Sequence, residues 1–145
     1  MIYEGTIRYE TTTNKGNVKT IREKYLIENV DTFSQAEVAL TTYALASSIN
    51  EVDVTSLKRS KIKEIANKNR DTEPMFIATL VDVFTDENGI EKELTYDIAF
   101  FALNIEEAHN FIRLYAQQGY CMEMKALKQA KFIDVLKYGE GVLRY

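Results

Sequence analysis

The chain has 145 residues, 46% of them hydrophobic and 28% charged, which is the composition of an ordinary globular domain. A chain of this length can bury a core without disulfides or metal, so we expect one domain over residues 1–145. The net charge of −4 and the pI near 5.1 argue against a protein whose whole surface grips nucleic acid. A local basic face remains compatible with that overall acidity.

Cellular location is indicated by three features of the sequence. Cys121 is the single cysteine, so no internal disulfide forms, as suits a reducing cytoplasm. Charged residues interrupt the N-terminal segment where a signal peptide would need an apolar region. The longest apolar run, Ile98 to Leu103, is too short to span a bilayer. These features predict a soluble, cytoplasmic protein with no membrane partner.

A β-hairpin is predicted at the start of the chain. Apolar and polar residues alternate from Tyr3 to Glu10, the pattern of a half-buried strand. The turn-forming segment 13–17 joins it to a second alternating segment that carries Ile21, Tyr25 and Ile27. The two segments therefore form a hairpin.

A helix and a third strand follow. Thr32 to Gln35 is a capping-box pattern, and apolar residues at helical spacing come after it. Alternation restarts at Val52, and 57–65 continues as a third strand or extended segment. Basic residues interrupt this last stretch, so a helix there stays an alternative. The predicted order of the first half is ββαβ.

The second half repeats the first in the same order. Gly89 of a DENG turn corresponds to Gly16, and the cap Asn104 to Glu107 corresponds to Thr32 to Gln35. The last segment matches best: VDVTSLKRSKIKEI from Val52 aligns with MEMKALKQAKFIDV from Met122. The offset falls from 74 to 70 along the repeat. At the larger offset the first strands align as Tyr3 with Ile77, Gly5 with Thr79, Ile7 with Val81 and Tyr9 with Val83.

These matches predict a tandem duplication, with repeats at 1–66 and 75–138. The polar segment 67–74 ends in the only proline, Pro74, and is predicted to be a linker. One repeat would be marginally stable alone, whereas two can share a core. We expect an α+β fold with a mostly antiparallel sheet and both helices packed on one face.

Three stretches carry a family resemblance: REKYLIENVDTFSQAE, VDVTSLKRSKIKEI and FTDENGIEKE. They resemble a small two-repeat domain family of unknown function from gut anaerobic bacteria and their tailed phages. Phage members of that family tend to lie among genome-replication genes. The resemblance implies a nucleic-acid-associated role in a bacterial host cell.

Catalytic and metal-binding signatures are weak. His109 stands alone on the polar side of the second helix, and one histidine cannot build a zinc site without further ligands. Cys121 has no neighbouring base, so a passive role is expected. A group of carboxylates surrounds the second hairpin and is explained by turn chemistry and solvation: Asp82, Asp86, Glu87, Glu91, Glu93 and Asp97. We expect no enzyme activity, cofactor or metal.

Basic residues recur in both repeats, where Lys58 aligns with Lys128 and Lys61 with Lys131. Lysines that neutralise phosphates, beside aromatic rings on which bases stack, are typical of single-stranded nucleic-acid binding. Lysines on an edge strand also prevent aggregation, which is the alternative explanation for each one. The predicted nucleic-acid-binding residues are Lys58, Arg59, Lys61, Lys63, Lys128 and Lys131.

Two functions are carried forward from the sequence. The first is a non-enzymatic protein that binds single-stranded nucleic acid in phage or mobile-element DNA metabolism. The second is a protein-interaction or structural module, such as a host-factor inhibitor or a virion component, which the acidic pI and the acidic hairpin favour. Under either, an unpaired strand edge could add strands from a second copy.

Overall fold

The computed structural model describes residues 1–46, 51–70, 72–117 and 122–138. Two helices and strands in two mixed sheets confirm the α+β class expected from the sequence. A short 3-10 helix spans Lys68–Arg70. The helices and strands are β1 (Tyr3–Thr12), β2 (Val18–Glu28), α1 (Phe33–Ala46), β3 (Asp53–Arg59), β4 (Ile62–Ala66), β5 (Met75–Thr85), β6 (Glu91–Phe101), α2 (Ile105–Gln117), β7 (Met122–Gln129) and β8 (Phe132–Lys137).

The chain divides into two compact units, each with its own four-stranded sheet. Unit 1 comprises Met1–Ser60 and Lys131–Tyr145, and unit 2 comprises Lys61–Ala130. The strand order is β3-β1-β2-β8 in unit 1 and β7-β5-β6-β4 in unit 2. In each sheet three strands are antiparallel, and the fourth pairs in parallel, β8 with β2 and β4 with β6. The strands thus form two mixed sheets, where one mostly antiparallel sheet was expected.

The segment that the sequence predicts to be the third strand of the first half forms two strands. β3 ends at Arg59 and β4 begins at Ile62, and the two belong to different sheets. Each half of the chain therefore supplies one parallel edge strand to the sheet formed by the other half. The described residues of the segment predicted as a linker, 67–70 and 72–74, lie inside unit 2 between β4 and β5.

Both hairpins turn through a glycine, as the sequence predicts. Gly16 and Gly89 have φ values of +79° and +76°, a region that side chains with a Cβ rarely adopt. Their N–H groups donate to the carbonyls of Thr13 and Asp86, at 2.9 and 3.0 Å. A Cβ on either glycine would meet no atom within 4 Å. The backbone conformation, rather than crowding, thus requires glycine there.

Both helices begin at the predicted caps. Thr32 Oγ1 accepts the Gln35 N–H at 3.2 Å, and Asn104 Oδ1 accepts the Glu107 N–H at 2.9 Å. The Gln35 and Glu107 side chains accept from the backbone N–H of the residue before the cap, at 2.8 and 3.3 Å. Two backbone donors are satisfied at each helix start, so both predicted caps are confirmed.

Each helix packs on one face of its own sheet and forms a core there. In unit 1, Leu40 of α1 is fully buried among the apolar side chains of β1 and β2. In unit 2, Ile112 of α2 is in the corresponding place. The fully buried residues of the two cores include Ile7, Tyr25, Ile27, Leu40 and Leu136 in unit 1, and Leu80, Ile98, Phe100 and Ile112 in unit 2.

The strand register shows that the alignment of β1 with β5 from sequence is wrong by one residue. A bulge interrupts the pairing of β1 between Thr6 and Ile7, and that of β5 between Thr79 and Leu80. Ile7 therefore corresponds to Leu80, not to Val81, and a one-residue shift exchanges the two faces of a strand. Leu80 and Val81 are both buried. Because β5 is apolar on both faces, its alternation cannot fix the register.

Candidate functional site

The six basic residues predicted to bind nucleic acid are exposed and divide between the units. Unit 1 holds Lys58, Arg59 and Lys131, and unit 2 holds Lys61, Lys63 and Lys128. In each unit they lie at or beside the two opposite edge strands. Two strands separate those edges, which amounts to roughly 14 Å at about 4.8 Å per strand. Within one unit, the predicted residues therefore do not converge on a single groove.

The strand lysines Lys58 and Lys128 occupy corresponding positions. Leu57 and Leu127, the residues before them, pack against the cores under the helices. Because successive side chains of a strand point to opposite faces, the two lysines lie on the sheet faces away from the helices. The two lysines therefore lie at matching places on the two sheets.

Three more basic residues lie on the same face of unit 1 as Lys58. Arg8 on β1 is directly opposite Arg22 on β2, and Lys24 is the next residue of β2 on that face. All of them are exposed. Directly opposed residues have Cβ atoms about 5 Å apart, so the two guanidinium groups share one patch. We call Arg8, Arg22, Lys24 and Lys58 the basic face.

Carboxylates neutralise only part of the basic face. Arg8 Nη2 pairs with Asp53 Oδ2 at 2.9 Å, and Glu4 lies opposite Lys58 in the register. Among the described residues, neither Arg22 nor Lys24 has an ion-pair partner. Like charges placed directly opposite on paired strands repel, and an anion bound between them would remove that cost.

The corresponding face of unit 2 lacks this charge. Val81 and Thr95 take the places of the two arginines, and Asp97 takes the place of Lys24. The Asp97 carboxylate accepts the Thr79 hydroxyl at 2.7 Å. The basic face is therefore a property of unit 1 rather than of the shared framework.

Unit 2 instead holds a cleft of about 310 Å³ beside α2, lined by Lys63, Glu64, Tyr96 and Tyr115. The Lys63 ammonium lies 4.9 Å from the centre of the Tyr96 ring. The Tyr115 hydroxyl donates to Glu64 Oε2 at 2.7 Å. A bulge at Lys63, between the pairs Ile62–Asp97 and Glu64–Ile98, places two successive charged residues of β4 at the cleft.

Both tyrosines of the cleft remain protonated at neutral pH. Burial raises the pKa of Tyr115, and its hydrogen bond to Glu64 raises it further. Burial also raises the pKa of Tyr96, with added repulsion from the carboxylates of Asp82 and Glu64. The cleft thus offers two neutral rings, one cation and one anion.

His109 is exposed on α2, in a shallow hollow formed by side chains of that helix alone. In the part of the chain that the structure describes, no three His, Cys, Asp or Glu side chains are grouped to hold a metal ion. Cys121 lies outside the described residues.

The acidic hairpin of unit 2 uses one of its carboxylates to close its turn. Asp86 Oδ1 accepts the N–H groups of Asn88 and Ile90, both at 2.9 Å, and Oδ2 lies 3.3 Å from Lys92 Nζ. The bond from Ile90 is the main cause of the lowered pKa of Asp86. Its role is structural, as turn chemistry predicts.

Sequence reasoning missed most of the basic face. Arg8 lies on the polar side of the predicted first strand, and the Gly16 turn fixes which residue of β2 opposes it. Counting residues outward from that turn along both strands would have placed Arg22 opposite Arg8. The signal is thus present in the hairpin sequence, but Arg8 and Arg22 have no basic counterparts in the second half of the chain.

A family model described as Domain of unknown function (DUF4494) matches residues 1–138. The chain belongs to this family. No curated protein matches it, and no solved structure does. Within the described residues, both helices fall short of the length and apolarity that crossing a membrane requires.

Proposed function

We propose that this member of the DUF4494 family is a non-enzymatic protein that binds single-stranded nucleic acid through the basic face of unit 1. The observation that carries the proposal is the exposed pair Arg8 and Arg22, directly opposite each other on neighbouring strands. Lys24 and Lys58 extend the positive charge along β2 and to the β3 edge. Four cations on one sheet face suit a chain of phosphates.

A ring beside these cations favours a single strand over a duplex. Phe132 on β8 pairs in register with Lys24 and is half-buried at the sheet edge. An unpaired base can stack on such a ring while the neighbouring phosphates meet Lys24 and Arg22. In a duplex the bases are stacked on one another and unavailable to this edge.

The wider setting comes from the sequence. The resemblance to domains of gut anaerobic bacteria and their tailed phages is in keeping with a role in phage or mobile-element DNA metabolism. We place the protein in the cytoplasm of the bacterial host on the same grounds.

The test is fluorescence anisotropy of a labelled single-stranded oligonucleotide, titrated with protein at several salt concentrations. Substituting both arginines (R8Q with R22Q) should weaken binding at least tenfold and flatten the salt dependence. Each lost phosphate contact lowers the slope of log affinity against log salt by about 0.7. Lys15→Gln, an exposed lysine of the neighbouring turn, is the matched control and should change little. Absence of salt-dependent binding by the unmodified protein would refute the proposal.

A protein-interaction module is the second candidate, favoured by the charge of the β5–β6 hairpin. Residues 75–101 carry six acidic side chains and one basic side chain. Such a surface suits a basic protein partner, including a basic face on a second copy. Nuclease-treated host lysate passed over the immobilised protein would retrieve one defined protein if this function is correct, and charge reversal at Glu91 and Glu93 should release it.

A further inference from the structure

We propose that the cleft of unit 2 formed by Lys63, Glu64, Tyr96 and Tyr115 is a second binding site, for the guanine base of a nucleotide. The site shares no residue with the basic face, because all four of its residues belong to unit 2. Its volume of about 310 Å³ falls at the lower end of small-molecule sites. Binding at this cleft does not depend on the function proposed for unit 1.

The tyrosines provide the surface for a flat ring. Tyr96 on β6 and Tyr115 on α2 are both half-buried, so their rings are held in place while part of each remains accessible. The Lys63 ammonium already lies over the Tyr96 ring, at a distance typical of a cation–π contact. Its flexible stem lets the ammonium move toward a phosphate when a base takes its place.

Glu64 selects the base. A carboxylate has about four acceptor positions on its two oxygens, and the Tyr115 hydroxyl occupies one of them. The Watson–Crick edge of guanine presents two adjacent donors, N1–H and N2–H, which match the two oxygens of a carboxylate. Hypoxanthine lacks the N2 donor, and adenine presents an acceptor at N1. Guanine therefore makes the most complete contact.

Tyr115 acts as a positioning residue for Glu64. Its hydroxyl holds one carboxylate oxygen at 2.7 Å and, because burial raises the pKa of Tyr115, stays a donor at neutral pH. The exposed carboxylate of Glu64 is thereby held in one orientation.

The matching place in unit 1 provides an internal contrast. The bulge on β8 falls at Ile133, which stands where unit 2 has Lys63. Tyr43 occupies the position of Tyr115, but the ring of Tyr25 packs against it with 5.0 Å between centroids. Unit 2 has the smaller Ile98 at the position of Tyr25. We assign the base-binding site to unit 2 alone.

Isothermal titration calorimetry of the full chain with GMP and with IMP tests the site, because the two differ only at N2. GMP should bind at least tenfold more tightly than IMP, and AMP should bind more weakly than IMP. Glu64→Gln should abolish the preference for GMP, whereas Glu106→Gln, on the exposed side of α2, should preserve it. Tyr115→Phe should weaken GMP more than IMP, since it releases the carboxylate and keeps the ring.

A guanine-containing trinucleotide in the same titration compares a base within a strand with the free nucleotide, and Glu64-dependent binding of either supports the site. Equal affinity for GMP and IMP in the unmodified protein would overturn the proposal without any variant having to fold. Retention of the GMP preference by Glu64→Gln, with an unchanged circular dichroism spectrum, would overturn it as well. Loss of oligonucleotide binding on substituting Arg8 and Arg22 bears only on unit 1.

Discussion

Unit 1 and unit 2 share strand order, bulges and hairpin turns, yet their hairpins carry opposite charge. The β1–β2 hairpin, residues 3–28, has five basic and four acidic side chains, whereas the β5–β6 hairpin has one basic and six acidic. The backbone framework is therefore common to both units, and the two proposed binding sites rest on side chains that differ between them.

One tyrosine–carboxylate pair shows how the units differ while keeping an interaction. In unit 1, burial raises the pKa of Tyr9 on β1, and the neighbouring carboxylate of Glu23 on β2 raises it further. In unit 2 the acid, Asp82, is on β5 and the tyrosine, Tyr96, is on β6. The two residue types have exchanged strands. In unit 2 this exchange places the ring beside β4, where it lines the cleft.

The largest effect on stability is expected from disrupting β8, the strand that the second half of the chain contributes to the sheet of unit 1. Leu136 of β8 is fully buried in the core of that unit. Leu136→Ala should lower the free energy of unfolding by about 2–5 kcal/mol, measured by urea denaturation. Hydrogen exchange should show the loss chiefly in unit 1. Ile133→Ala, on the same strand but 57% exposed, is the control and should cost less than about 0.5 kcal/mol.

Substitution of Gly5 tests whether the cores of the two units are equivalent. A Cβ on Gly5 would lie 2.7 Å from Leu40 Cδ2, whereas unit 2 has Ala78 at this position, facing Ile112. Gly5→Ala should therefore cost about 1–3 kcal/mol in urea denaturation. Combining it with Leu40→Ile, which removes the colliding methyl, should recover much of the loss. Additive costs in this double-mutant cycle would show that the cores are not equivalent.

The helix caps should be equal in the two units. Thr32→Ala and Asn104→Ala each remove the side-chain acceptor at a helix start, at an expected cost of about 1 kcal/mol. Urea midpoints of the two variants would measure the costs. Ser34→Ala, one residue inside α1 and exposed, is the control and should have little effect. A cost confined to one variant would mean that only one cap stabilises its helix.

The smallest effect is a difference in pH dependence between the turns. The folded pKa of Asp86 is below its ordinary value of 3.8, so its carboxylate stabilises the fold above that value. This stability is lost as the pH falls through the folded pKa. Asp86→Asn should make the urea midpoint less sensitive to acid, whereas Thr13→Asp should add sensitivity in the turn of unit 1. If the urea midpoints of both variants change with pH as that of the unmodified protein does, the carboxylate contributes nothing to the stability of the turn.

The sequence alone predicted the local structure well. Residue chemistry within a few positions determines a capping box, a glycine turn or a helical stripe, and these lie at Thr32, Asn104, Gly16 and Gly89 as expected. The sequence aligns Leu57 with Leu127, and the strand register agrees. Leu57 pairs with Gly5, and Leu127 pairs with Ala78, which takes the place of Gly5 in unit 2. Short-range patterns therefore predict the α+β class and the order of the elements, but not the division of each predicted third strand into two strands.

Only the tertiary structure decided which strands share a sheet. β4 and β8 pair in parallel with strands distant along the chain, and no local pattern specifies a distant partner. The sequence could not predict the register of β5 either. This strand is apolar on both faces and therefore lacks the alternation of apolar and polar residues that sets a register. The cleft follows from the same pairing. It exists because β4 lies beside β6, which brings Lys63 and Glu64 to Tyr96.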